Sequence, residues 1–205
     1  MIGFDPDTGE LVGPASAVQA LLEGDESVDD ERFAAALDAA RAPAFRAWTE
    51  GGARHVTLLG DATAAVLVTD RPGGERALLP APTPHAMLAL VVWLELGPRP
   101  VPAHAPLRLA PGALAVLIGR ADAHGHGLDP KVAADLQQRL DAGVRHWAVR
   151  VAWSEGRRNL EVVDGPRGIW RVRPAGDQVE LAPASTTTVV RELIALLWRA
   201  SYRST

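Results

Sequence analysis

Trp147-Ala-Val-Arg-Val-Ala-Trp153, Asn159-Leu-Glu-Val-Val163, Gly168-Ile-Trp-Arg-Val-Arg173 and Gln178-Val-Glu-Leu181 follow one another with only turn-forming stretches between them. The first alternates in the way a half-buried strand must, because successive side chains point to opposite faces. Ser154-Glu155-Gly156 and Pro174-Ala175-Gly176-Asp177 carry hairpin turn chemistry. The stretch therefore predicts a four-stranded antiparallel meander.

The same order occurs earlier in the chain. Ala44-Phe-Arg-Ala-Trp48, Arg54-His-Val-Thr-Leu-Leu59, Ala64-Ala-Val-Leu-Val-Thr69 and Arg76-Ala-Leu-Leu79 are separated by Glu50-Gly51-Gly52, a second turn, and Pro72-Gly73-Gly74. A helix precedes each meander. Phe33-Ala-Ala-Ala-Leu-Asp-Ala39 is closed by Pro43, and Leu136-Gln-Gln-Arg-Leu-Asp-Ala142 by Gly143. A helix also follows each meander: Thr83 is read as the cap before Pro84 and the run to Trp93, and Ser185 to Thr188 as the start of the run to Trp198. The leading segments match too, Leu11 to Ala15 then Val18 to Leu22, against Leu107 to Gly112 then Leu114 to Ile118.

Repetition on this scale constrains the whole fold. It predicts an α+β protein, one domain over residues 1–205, made by internal duplication of about 11–96 and 107–200. Each half is a mostly antiparallel four-stranded meander with flanking helices, and the two quasi-symmetric halves pack about a pseudo-twofold axis. The proline-dense run Gly97 to Pro106 is read as an extended joint.

Composition narrows the function. The 205 residues are 47% hydrophobic and contain no cysteine, which removes disulfides, thiolate metal sites and thiol nucleophiles together. No basic and apolar leader opens the chain, and the longest apolar run falls well short of the ~20 residues that span a bilayer. A cytoplasmic location is expected. With a net charge of −4 and arginines scattered among acids, a nucleic-acid footprint is missing.

Candidate chemistry is thin. His124-Gly-His126 with His104 is the best metal-like group among six histidines, but its flanks are loop-like and no helix fixes the ligands, so no metal or other cofactor is assigned. Asp5-Pro-Asp-Thr-Gly-Glu10 reads as a turn and not a calcium loop. No serine sits in a nucleophile-elbow pattern and no Gly-Lys-Ser/Thr phosphate loop occurs. No catalytic residue is named, and binding is expected in place of catalysis. Among six tryptophans, mostly core, Trp48 and Trp170 are the two to check for an outward face.

Within this duplicated unit, Phe33-Ala-Ala-Ala-Leu-Asp-Ala-Ala-Arg-Ala-Pro43, Ala64 to Thr69, and Pro166-Arg-Gly-Ile-Trp-Arg-Val-Arg-Pro174 resemble the EspG family of type VII secretion proteins, over about residues 30–200 and as a shortened member. The resemblance implies a cytosolic actinobacterial chaperone that grips the helical tip of a PE/PPE- or WXG-type secretion substrate and keeps it soluble until export. It transfers no residue-level motif, so the partner-binding residues stay unassigned. The groove beside the C-terminal helix, Thr187 to Trp198, is the expected docking place. The competing reading is a homodimeric scaffold or immunity-type interaction protein without a secretion role.

Overall fold

A computed structural model describes residues 2–26, 31–51, 55–103, 105–118 and 144–202. Contacts divide the chain into two compact units. The first comprises Met1–Leu96, Val149–Asn159 and Leu193–Thr205, and the second Gly97–Ala148 and Leu160–Glu192.

In the first unit the elements are β1 (Gly3–Asp5), β2 (Glu10–Pro14), α1 (Ala15–Glu23), α2 (Glu31–Arg41), β3 (Phe45–Gly51), β4 (Val56–Gly60), β5 (Ala64–Arg71), β6 (Glu75–Pro82) and α3 (Thr83–Trp93). Their strands run in the order β1-β2-β6-β5-β4-β3, antiparallel throughout. The expected meander is therefore present as β3 to β6, and the leading strand β2 closes back onto its last member. Asp5 makes the β1–β2 turn with its own carboxylate, which accepts from the Asp7 amide at 3.0 Å.

Strand β5 is buried on both faces, as its run Ala-Ala-Val-Leu-Val predicts for a central strand. Val66 and Val68 join the core of α1 and α2 with Leu11, Val18, Leu21, Phe33, Leu37 and Leu78. Ala65 and Leu67, on the other face by alternation, are fully buried, and α3 packs on β4, β5 and β6. Arg41 ties the two helices of the first layer together by donating to the Leu21 carbonyl at 3.1 Å, satisfying a C-terminal acceptor of α1.

The second unit contains β7 (Leu107–Leu109), α4 (Pro111–Leu117), β10 (Gly168–Ala175) and β11 (Gln178–Ala184). To these it adds the first part of β8 (Arg145–Trp153), the last part of β9 (Gly156–Gly165) and the start of α5 (Thr186–Tyr202). Strand order here is β9-β10-β11-β7, again antiparallel and again with the leading strand on the outer side of the last meander strand. Leu109, Leu114, Val163, Trp170, Val172 and Leu181 form its core. Trp170 is only 2% exposed, so it does not face outward.

Two expectations change in detail and a third holds. Thr83 does not cap α3: Pro82 holds the cap position, and the Thr83 hydroxyl donates to the Asp61 carbonyl at 2.8 Å. Ser185 behaves as read, its Oγ accepting from the Thr188 amide at 3.0 Å. The proline-rich joint is no free spacer. Its Gly97 carbonyl accepts from the Thr186 hydroxyl at 2.9 Å, its Arg99 reaches Asp164, and Pro102 is buried. The helix read at Leu136–Ala142 lies outside the described residues, as do His104, His124 and His126.

Candidate functional site

Register places a row of side chains on one face of the first unit's sheet: Leu11, Leu78, Val68, Thr57 and Trp48, on β2, β6, β5, β4 and β3 in turn. Helices α1 and α2 cover the Leu11–Leu78–Val68 end. Among the described residues no helix packs closely on the β3 end, where the chain leaves α2 through Pro43 and enters β3. A cleft of about 420 Å³ lies along this boundary. That volume falls in the usual range for small-ligand sites.

Apolar atoms of Leu22, Ala40, Pro43, Leu59 and Val68 line the cleft. Polar groups enter from five elements and their flanks. Arg76 of β6 donates to Asp70 at 2.8 Å and to the Gln19 side chain of α1 at 3.3 Å. Gln19 in turn donates to Glu23 at 2.7 Å. From the opposite side come Arg46 on β3 and His55, just ahead of β4.

Beside the cleft, β3 presents Arg46, Trp48 and Glu50 on its uncovered face, while Phe45, Ala47 and Thr49 point inward. The Arg46 guanidinium lies 5.6 Å from the Trp48 ring centroid, within cation–π range. The indole Nε1 donates to Glu50 at 3.2 Å, and Glu50 pairs with Arg150 at 2.6 Å. Trp48 is thus half-buried at the edge of a polar surface, one of the two tryptophans singled out for such a position.

The most exposed tryptophan is another one. Along α5, Val189, Leu193, Leu197 and Ala200 are buried, which turns Trp198 and Tyr202 outward at 44% and 51% exposure. Their rings meet one helical turn apart, tilted by 43°, with centroids 4.7 Å from each other. On α3, Ala86, Met87 and Leu90 face the sheet while Leu88 and Val92 are exposed. Charged groups with shifted titration are few. Burial lowers the Arg171 pKa, as does the neighbouring Arg173, although Glu192 of α5 pairs with Arg171. Asp61 titrates below the usual carboxylate value, its burial outweighed by hydrogen bonds from Ala64 and Thr63.

No family model matches the sequence, and no curated protein matches it. The fold does have a counterpart among solved structures: the type VII secretion system chaperone EspG5 of Mycobacterium tuberculosis, solved in complex with the PE25–PPE41 dimer. The two superpose with a TM-score of 0.56 at 14% identity, over 92% of this chain and 95% of that one. This chain has the fold of the EspG5 chaperone.

Proposed function

We propose that this protein is a chaperone or adaptor that binds a helical protein partner of the PE/PPE type, in the manner of the type VII secretion chaperones. The fold shared with EspG5 over nearly the full length of both chains carries the reading. Fold alone does not fix function. Two features of the surface support a binding role. Trp198 and Tyr202 are large aromatic side chains held outward on a regular helix, the residue types that anchor protein interfaces. Their i, i+4 spacing suits the side of a second helix.

In this reading the two copies of the meander unit are related by an internal duplication about a pseudo-twofold axis. The matching strand orders, with β2 beside β6 and β7 beside β11, support the duplication. The protein works in the cytoplasm, without catalysis, by covering apolar partner surface before export.

Co-expression tests it. A PE/PPE pair is expressed alone and beside this protein, and soluble yield is compared. A clear rise in soluble pair, lost when Trp198 and Tyr202 are both changed to Ala, supports the reading; an unchanged yield contradicts it.

A further inference from the structure

The cleft between α1 and β3 has a charge pattern that the chaperone reading does not use. Asp70 and Arg76 neutralise each other at 2.8 Å. Two charges lining the same cleft remain: Glu23, which accepts from the Gln19 amide but pairs with no cation among the described residues, and Arg46, which stacks over Trp48 but pairs with no carboxylate among them. His55 stands on the Arg46 side, and its ring has no hydrogen-bond partner among the described residues. The two uncommitted charges sit at opposite walls. Gln19, the neighbour of Glu23, is bonded to Arg76 of β6, whereas Arg46 belongs to β3, three strands away in the order β6-β5-β4-β3. Between them the floor is built from Leu59, Val68 and Thr57, two apolar side chains with one hydroxyl beside them.

We propose that this cleft binds a small zwitterion with an apolar body, a short peptide with both termini free. Its ammonium meets Glu23, its carboxylate meets Arg46 and His55, and its side chains rest on Leu59 and Val68. The size agrees. Three strand spacings are roughly 14 Å, and an extended dipeptide covers roughly 7 Å. The side chains of Glu23 and Arg46, both lining the cleft, take up the remainder. A lone ammonium or carboxylate would leave one wall charge unanswered, which selects for the doubly charged ligand. The proposal stands apart from partner binding, since the free protein alone suffices to test it.

The test is a calorimetric titration of the full chain with the dipeptide Leu-Leu, with its N-acetylated form, and with its C-terminal amide. Charge-assisted hydrogen bonds set the expected loss at about tenfold in affinity for each capped form. Arg46→Gln should abolish the preference for Leu-Leu over its amide while keeping the preference over the acetylated form, and Glu23→Gln should do the reverse. Equal binding of all three ligands by the natural chain, or no heat at millimolar dipeptide, overturns the proposal without any variant having to fold. Selective loss that does not map onto Arg46 and Glu23 in this crossed manner overturns the assignment of the two walls.

Discussion

Arg99 donates its Nε to a carboxylate oxygen of Asp164 at 3.0 Å, and the other oxygen of that carboxylate takes Arg145 at 2.7 Å. The Asp164 side chain is 1% exposed, so its charge depends on these two partners and not on water. Asp164→Ala should destabilise the protein by about 2–4 kcal/mol, because it removes two charge-assisted bonds at once. Arg99→Ala should cost about 1 kcal/mol, since Arg145 still answers the carboxylate. Urea unfolding of the two variants checks the order, and equal losses would contradict it.

Gly168 makes the same docking visible from the other side. Its φ of +148° lies where side chains are strained, and a Cβ there would collide with the ring of Pro102. Gly60 has no room either, since a Cβ would strike the Ala64 carbonyl across the β4–β5 turn. Alanine at each position should lower stability by about 2 kcal/mol or more. The Gly168→Ala loss should shrink when Pro102 is changed to Ala as well, which a double-mutant cycle reads directly.

The β4–β5 turn also carries a pH dependence. Asp61 accepts from the Thr63 amide at 2.7 Å, the Thr63 hydroxyl at 2.8 Å and the Ala64 amide at 2.9 Å. Burial pushes its pKa up, but these bonds together hold it below 3.8. A carboxylate with a depressed folded pKa stabilises the protein above its unfolded value, and that contribution is lost as pH falls through the folded value. Asp61→Asn should therefore flatten the loss of stability between about pH 4 and pH 2, and a slope equal to the natural chain's would contradict the assignment.

Trp198 and Tyr202 should separate binding from folding. Both are about half exposed, so changing the pair to alanine should cost below about 1 kcal/mol of stability, their tilted ring contact included. Partner affinity should fall by tenfold or more if they anchor the interface. A large fall in melting temperature instead would mark them as structural.

Much of the fold was legible because it depends on local pattern. Alternation, turn glycines and prolines, and the Ser185 cap place the strands and α5 within a few residues. Thr83 was misread because its hydroxyl has a better acceptor in the Asp61 carbonyl, a contact made only once β4 and α3 meet. The proline run looked like a spacer because nothing local announces the Arg99–Asp164 bond, formed across 65 positions. Trp198 was within reach of the sequence: with Val189, Leu193 and Leu197 inward, helical period alone turns it out. The cleft was not, since the Arg76–Gln19 contact joins residues 57 positions apart and, among the described residues, no helix packs closely on its β3 end.

The most direct measurement of the central claim is to mix the purified chain with a purified PE/PPE heterodimer from the same source and follow mass by light scattering during gel filtration. The account predicts one complex containing a single copy of each of the three chains. Elution of this protein by itself, as a monomer or as a concentration-dependent dimer with the heterodimer untouched, would contradict it.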